Sequence, residues 1–585
     1  MSTTSGLLCL MLSAPWVRCR STCLCLILPV AALPLTACRP GPQGGEESSH
    51  PPLSTLPPAS NEGIVFTDVT QDAGIHFVHS FGDDRFSNLV EAVGSGAAFF
   101  DYDGDGWLDV YLATGKNSPG LNQGQPARPR PLNRLYRNRH DGTFEDVTNE
   151  AGVGAENLFS MGITVGDYNA DGHPDLYICG FGRSLLFRNN GDGTFTDATR
   201  RAGVANEKRC AAAAIWLDYN RDGFPDLYVA NYVEFDPNYD VFYAPDGFPG
   251  PLSYRAQPDR LYRNLGDGSF QDASEEVGVA ELEGRGMSVA SLDYDEDGYP
   301  DLYVTNDASE NFLLHNKKGK RFEQVGLLSG VAYNAVGNST ASMGADFGDY
   351  DGDGRIDLFV SDDAISSLYH NQGDGFFIDE AVESGIARGS AQFVGWGSFF
   401  FDYDNDGDLD IFKVNSDLSR LFGQEDQVFD NQGDGKFQDV SDRLGSYFQR
   451  ELLGRGACYG DYDNDGDLDV LISNVNGAPV LLRNDGGNRN HWIEIRLVAE
   501  PGHADALGTR LELQAGGRTR KAFKKGTSGY LSQSDPRLHF GLGEHRRVER
   551  IAVKWSCGRR QVLRDVAADQ ILVIREASDR GPAGR

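Results

Sequence analysis

Basic side chains are scarce in this 585-residue chain: 53 Lys and Arg stand against 86 Asp and Glu, a formal charge of −33. No overall basic field is available to displace counterions from a phosphate backbone, so nucleic acid is excluded as the expected partner. Cysteine is sparse too. Nine are present, five of them within the first 38 residues, and the four that remain (Cys179, Cys210, Cys458 and Cys557) are too scattered to form a disulfide framework. Cys179 and Cys210 fall in neighbouring repeats and could pair, but buried free thiols are the expectation. The 11 histidines do not cluster at ligand spacing, and the chain lacks His-Glu-x-x-His, Gly-x-Ser-x-Gly and any phosphate-cradling loop. Its main apolar run, residues 24–35, is short and interrupted by proline, which excludes it as a bilayer span.

What the sequence does contain is a nine-residue acidic phrase, Asp-Tyr-(Asp/Asn)-x-Asp-Gly-x-x-Asp, written seven times. The copies place side-chain oxygens at Asp101, Asp103, Asp105 and Asp109; Asp167, Asn169, Asp171 and Asp175; Asp218, Asn220, Asp222 and Asp226; and Asp293, Asp295, Asp297 and Asp301. They continue at Asp349, Asp351, Asp353 and Asp357; Asp402, Asp404, Asp406 and Asp410; and Asp461, Asp463, Asp465 and Asp469. Oxygen donors at positions 1, 3 and 5 with glycine at 6 match the first half of an EF-hand calcium loop. The second half differs, because an Asp at position 9 closes a shorter loop and an apolar, β-prone segment follows. Asp and Gly also make good turns without any ion. Yet crowded carboxylates repel one another unless a cation sits among them, so calcium is expected at up to seven sites, in preference to magnesium with its tight octahedron. Asn169 and Asn220 lower the charge of the second and third loops, which should bind weakest.

A second phrase recurs between the loops. Leu135-Tyr-Arg-Asn138, followed by Asp141-Gly-Thr-Phe-Glu-Asp-Val-Thr148, returns around Leu186, Leu261, Leu368 and Val428, and in degraded form at 313–322. The Asp-Gly dipeptide between alternating segments signals a hairpin. Each unit then has four strands and about sixty residues, the signature of a β-propeller blade. The seventh unit lacks its last strand, while the missing phrase, Phe66-Thr-Asp-Val-Thr70, stands alone before the first loop. A strand from the N-terminal side would complete the last blade and remove an open edge. The expected fold is all-β: a seven-bladed propeller over 63–488, followed by a small all-β domain over 489–576.

The tandem acidic loops resemble the FG-GAP and VCBS repeats of the integrin α-subunit propeller. The C-terminal segments Leu507-Gly-Thr-Arg510, Gly526-Thr-Ser-Gly-Tyr-Leu-Ser-Gln-Ser534, Leu538-His-Phe-Gly-Leu-Gly543 and Val553-Lys-Trp-Ser-Cys-Gly558 resemble the ASPIC/UnbV module of the cartilage acidic protein family and its bacterial relatives. Ser556 departs from that pattern, where proline is expected. Residues 489–575 carry 17 Lys/Arg against 9 Asp/Glu, a net +8 that leaves about −41 on the rest of the chain. This basic face could hold an anionic glycan, dock on the acidic propeller, or simply be solvated. Ser532 and His539 lie in the module's motif without an evident acid partner, so a packing or turn role is expected of them.

The N-terminus suggests an address. Arg18 and Arg20 precede the apolar run, which ends Leu35-Thr-Ala-Cys38, similar to a bacterial lipobox with Cys38 as the acylated residue. Residues 1–38 then read as a signal, 39–62 as a Pro-, Gly- and Ser-rich tether, and 577–585 as a disordered tail. A lipid anchor would be the only membrane contact, and the surface or outer membrane of a bacterium the location. Residues 115–132 and the aromatic segment 231–259 form long connections on the face opposite the acidic loops; the second is the expected recognition site, the alternative being that it folds over the channel mouth and buries its own rings. The leading expectation is a calcium-binding, surface-anchored adhesion module for protein or carbohydrate. The alternative is an enzyme or biosynthetic accessory protein using the propeller channel or the C-terminal module.

Overall fold

The computed structural model describes residues 63–126, 130–239, 248–417, 422–500, 504–527 and 529–577. The signal and lipidation assignments at 1–38, Cys38 among them, the tether to residue 62 and the tail beyond 577 lie outside the described residues.

Seven antiparallel four-stranded sheets follow one another from residue 97 to residue 485. In each, the first strand ends at the acidic loop and the second leaves it; the third and fourth form a hairpin in blades 1–6, with an Asp-Gly turn in all of these but blade 4. Burial grades outward through a blade. The first two strands of blade 3, Ala211–Leu217 and Asp226–Asn231, are wholly buried; the third, Arg260–Asn264, alternates; the fourth, Phe270–Asp272, keeps only Phe270 inside. This grading is why the inner strands read as continuous apolar runs and the outer ones as Phe-x-Asp.

Blade 7 is completed by Val65–Asp68, which pairs antiparallel with Val480–Asp485 and sets Phe66 opposite Asn484. The first and last elements of the ring are therefore hydrogen-bonded to each other. Blade-to-blade clasps come from the asparagine near the end of the third strand in six of the seven blades, Asn371 of blade 5 bonding instead to Ile356 O of its own blade. Asn189 Nδ2 donates to Tyr102 O of the preceding blade (2.7 Å), and Asn264, Asn316, Asn431 and Asn484 repeat the bond to Tyr168, Tyr219, Tyr350 and Tyr403. Asn138 of blade 1 reaches Tyr462 O of blade 7 at 2.8 Å, so the series runs across the closure.

Each hairpin is followed by a single helical turn in five blades, a detail absent from the strand reading. In blade 1, Asp146 Oδ1 accepts the Thr148 N–H (3.0 Å), Thr148 Oγ1 accepts the Leu135 N–H (3.0 Å), and Gly152 ends the turn in the left-handed region. The aspartate-threonine pair competes for the backbone as such residues do at helix starts.

The C-terminal domain has two sheets. His491–Val498 lies between Leu538–Gly543 and Ile571–Arg575, the latter parallel to it, and Arg510–Ala515 with Arg547–Lys554 forms the centre of a four-stranded sheet. Ile493, Leu511, Phe540, Ile551 and Trp555 fill the space between the sheets.

On the face opposite the acidic loops, segment 231–259 is mostly turned inward. Tyr232 and Tyr254 are buried, and Phe235 and Phe248 pack against the same core cluster. Among the described rings of this segment, Tyr239 is the most open, at 37% exposure. An aromatic platform is therefore not what most of these rings form, because apolar rings over a ring mouth gain more by covering the core than by facing water. Phe242 and Tyr243 lie outside the described residues. Cys179, Cys210 and Cys458 are buried free thiols and Cys557 is an exposed one.

Candidate metal centres beneath a C-terminal cap

The acidic loops fold alike. The glycine at position 6 has a φ of 86–97° in all seven, a conformation that requires glycine, and its N–H donates to an oxygen of the first aspartate at 2.8–3.1 Å. The ninth-position aspartate is buried in every loop and accepts two backbone N–H groups. Asp109 takes Tyr102 N (3.0 Å) and Asn138 N (2.8 Å), and the other six repeat the pattern. Each of these oxygens retains a further lone pair.

The loops differ in what the remaining oxygens do. In blades 1, 4, 5 and 6, Oδ1 of Asp101, Asp293, Asp349 and Asp402 is buried without any hydrogen-bond partner; in blade 7 the same holds for Asp463 Oδ1. Buried carboxylate oxygens rarely go unsatisfied. Ligand atoms of Asp101, Asp103 and Asp109, and of Asp349, Asp351 and Asp357, lie within 4.8 Å of one another. All donors are oxygen, the set that suits calcium.

Blades 2 and 3 satisfy themselves instead. Asp167 Oδ1 and Asp218 Oδ1 accept the N–H of Asp171 and Asp222 (both 3.0 Å), a bond that Asp461 Oδ1 of blade 7 shares with Asp465, and in blades 2 and 3 the Asn169 and Asn220 amides donate to the carboxylates of Asp171 and Asp222 at 2.9 and 2.8 Å. The asparagine amide stands where a cation would otherwise draw the two acidic groups together.

Electrostatics follow the crowding. Burial, reinforced by neighbouring carboxylates, pushes Asp349 up to about 6 and Asp357 to about 9, and holds Asp402, Asp404 and Asp410 well above the usual carboxylate range. Without a positive partner these loops favour protonation, so a bound cation would release protons.

The C-terminal domain sits on this face and touches every acidic loop. Arg496 approaches Asp101 (3.3 Å) in blade 1, and Asp505 Oδ2 accepts the Asp167 N–H (2.9 Å) in blade 2. Arg221 of blade 3 donates to Ser556 O (2.8 Å), Arg510 pairs with Asp293 of blade 4, and Lys521 donates to Gly354 O (2.7 Å) of blade 5. Arg520 donates to Gly407 O (2.8 Å) of blade 6, and Arg537 to Asp461 O and Asn464 Oδ1 (both 2.7 Å) of blade 7. The basic face is thus a docking surface for the propeller.

The motif segment 526–537 enters the ring axis. Gln533 exchanges backbone bonds with Ala97 and Phe99 in blade 1, Ile163 N donates to Leu531 O (2.9 Å) in blade 2, and Ser288 Oγ donates to Gly529 O (2.5 Å) in blade 4. Gly529 N donates to Ala345 O in blade 5, Tyr530 meets Trp396 of blade 6 edge-to-face at 5.5 Å, and Asp535 N donates to Tyr459 O (2.9 Å) in blade 7. Blade 3 comes so close that a Cβ on Gly526 would lie 2.1 Å from Trp216 O. From the other end, the short helix Leu89–Val93 joins the same buried cluster as Tyr530 and Leu531. The channel is a packed core.

Ser532 and His539 take separate roles within this cap. Ser532 Oγ accepts the Ala97 N–H (3.2 Å). His539 does have a nearby acid, Glu494 (3.4 Å), and its other nitrogen lies 2.6 Å from Asn405 Oδ1 in the blade 6 loop. Burial lowers its pKa to about 3, so it acts as a neutral bridge. Among the described residues, clefts between cap and loops include one of about 710 Å³ beside blades 3–5 and one of about 410 Å³ beside blades 1 and 2.

The FG-GAP-like repeat model matches residues 101–178, 167–229, 236–304, 293–360 and 349–413, and the ASPIC and UnbV model matches 499–581. The chain belongs to the FG-GAP-like repeat family. Mouse cartilage acidic protein 1 is 24% identical over 94% of this chain and 80% of the relative; the human protein is 24% identical over 82% and 71%. Among solved structures, an N-acetylglucosamine-recognising lectin of Agrocybe aegerita aligns over 58% of this chain and 82% of its own, at 16% identity and a TM-score of 0.37. A BBS1N chain in complex with ARL6DN aligns over 70% and 98%, at 10% identity and 0.39. The FG-GAP-like repeats thus lie on blades 1–6, and the ASPIC and UnbV domain supplies the cap and plug.

Proposed function

We propose that the protein is a calcium-binding, non-catalytic scaffold, held outside the cell, that offers the rim and far face of its ring to a protein or glycan partner. The unsatisfied buried carboxylate oxygens at the first position of four loops carry this reading, since an ion there would satisfy them all. Five loops fit an ion by this criterion, those of blades 1, 4, 5, 6 and 7, whereas blades 2 and 3 have replaced it with an amide. The acidic face is covered by the cap and the axis is filled, which leaves the opposite face and the rim for a partner. An enzyme working in the propeller channel would find no room there.

The ions belong to the fold in this reading. Extracellular modules hold calcium at about 0.1–1 mM, and each site at ten times its dissociation constant adds about 1.4 kcal/mol. Five such sites give about 7 kcal/mol, comparable with the whole stability of a domain. The test is metal counting on purified protein, together with thermal unfolding in EDTA and on stepwise return of calcium. A calcium-specific rise in midpoint with close to five ions per chain is expected. A midpoint indifferent to EDTA, with no bound metal, would reduce the loops to turns and remove the proposal.

A further inference from the structure

One residue in each blade stands beside its acidic loop without belonging to it: the residue before the asparagine near the end of the third strand. Blades 1, 2, 3 and 7 place Arg137, Arg188, Arg263 and Arg483 there. Blades 4 and 5 place His315 and His370, and blade 6 places Asp430. A guanidinium is a fixed charge and offers no lone pair, while a neutral imidazole is among the commonest metal ligands.

In blade 5 the imidazole is aimed at the loop. His370 Nε2 lies 3.1 Å from Asp351 Oδ2 and 3.3 Å from Asp353 Oδ2, an oxygen that also pairs with the Arg355 guanidinium and would have to exchange that cation for a metal, and the three ligand atoms fall within 4.8 Å of one another. Asp351 also belongs to the oxygen group with Asp349 and Asp357, so a nitrogen is added to the edge of an existing carboxylate set. Asp349 Oδ1, buried and without a partner, belongs to the same loop. Behind the ring, Nδ1 lies 3.2 Å from Glu380 Oε1 and 3.0 Å from the Gln372 side-chain amide, and Tyr350 Oη donates to the other oxygen of Glu380 at 3.3 Å. An acid holding the far nitrogen of a ligating histidine is the usual support of a zinc-class site. Blade 4 also brings Asp295, Asp301 and His315 within 4.8 Å, with His315 Nδ1 3.2 Å from Asp301 and 3.6 Å from Asp295, but among the described residues no acid pairs with the far nitrogen of that ring.

We propose that the blade 5 loop, through Asp351, Asp353 and His370 with Glu380 behind, binds a borderline divalent ion of the zinc class in the presence of calcium. Calcium prefers oxygen and gains little from the imidazole, whereas zinc is held well by a mixed nitrogen and carboxylate set. The inference rests on the reading of these loops as metal centres, and the experiment separates the two.

Full-length protein is equilibrated in about 1 mM calcium, the extracellular range, with a small excess of zinc over protein, then gel-filtered into the same calcium buffer. Both metals are counted, and the zinc environment is read by X-ray absorption. One zinc per chain with imidazole scattering is expected. His370→Arg, which installs the residue of four other blades, should abolish it while leaving the other bound calcium in place. Should that variant misfold, Glu380→Gln should still weaken zinc retention about 10-fold or more, and His315→Arg should leave it unchanged. Bound calcium with no retained zinc, or zinc that survives His370→Arg, overturns this inference and spares the calcium reading. Retention of neither metal overturns both.

Discussion

Replacing Tyr530 tests whether cap and propeller are one thermodynamic body. The ring is fully buried in the axis, meets Trp396 edge-to-face at 5.5 Å, and its hydroxyl donates to Val93 O at 3.1 Å. Truncating a buried aromatic costs about 3–5 kcal/mol, and the hydroxyl bond, worth about 1 kcal/mol, puts Tyr530→Ala in the upper part of that range, about 4–5 kcal/mol. The midpoint shift this produces depends on the size of the unit that melts. Unfolding entropy is about 2.1 cal/mol/K per residue, or about 1.1 kcal/mol/K for the ring and cap together, which converts the loss into about 4 °C. If the cap melted alone, its roughly 85 residues would convert the same loss into about 25 °C on a small separate transition. Calorimetry in saturating calcium distinguishes these outcomes. One peak moving by about 4 °C is expected, with Tyr530→Phe moving it by about 1 °C. A midpoint unchanged by Tyr530→Ala would refute the idea that the motif segment is a structural plug.

Stability should depend on pH in opposite senses with and without calcium. Asp349, Asp301 and Asp357 are raised to about 6, 7 and 9 by burial, above an unfolded value near 4, so the metal-free fold binds more protons than the unfolded chain. In EDTA the melting midpoint should therefore fall as pH rises from 5.5 to 8, whereas in calcium, which binds the ionised loops, it should rise; the same slope in both buffers would contradict the assignment. Asn138→Ala removes donors to Leu108 O (3.0 Å) and Tyr462 O (2.8 Å) at the ring closure and should cost about 2–4 kcal/mol in urea unfolding. A shift no larger than that of exposed Asn149→Ala would deny it the clasp role. Arg537→Ala leaves Glu494 and Asp535 buried without their partner and should cost about 3–5 kcal/mol, with Arg537→Met no milder if the charge itself is what matters.

Much of the ring could be read from the sequence because its determinants are local and repeated. Glycine at position 6, the Asp-Gly hairpin and the apolar pairs between them each act within a few residues, and the orphan Phe66 phrase carries the closure. The clasp asparagines were visible as a recurrence but not as a function, since their partners lie 81–97 residues away in five blades and 324 across the closure. The one signal was that Asn138, Asn189 and Asn264 recur where a hairpin strand has no chemical need of an amide. The aromatic segment 231–259 was legible only as two alternatives for a related reason: composition cannot say whether Tyr232 and Tyr254 face solvent or the ring axis. The different states of the seven acidic loops were half legible, through Asn169 and Asn220; that those amides bond to Asp171 and Asp222 needs the folded loop.

The cap gives the charge imbalance a location. A net +8 on one domain and about −41 on the rest imply attraction between them, yet sequence alone leaves open whether the basic face meets solvent, a glycan or the ring. The structure puts Arg496, Arg510 and Arg520 at the acidic loops of blades 1, 4 and 6, three of the five loops that fit an ion. If calcium occupies these loops, arginine and ion would act on the same acidic clusters, and each would lower the cost of ionising the loop for the other. Cap docking and calcium binding should accordingly be positively linked. Under the proposed calcium reading, such linkage would let a basic module rest on the acidic face without displacing ions: two cations near one carboxylate repel, but a loop with four acidic groups has charge enough for both.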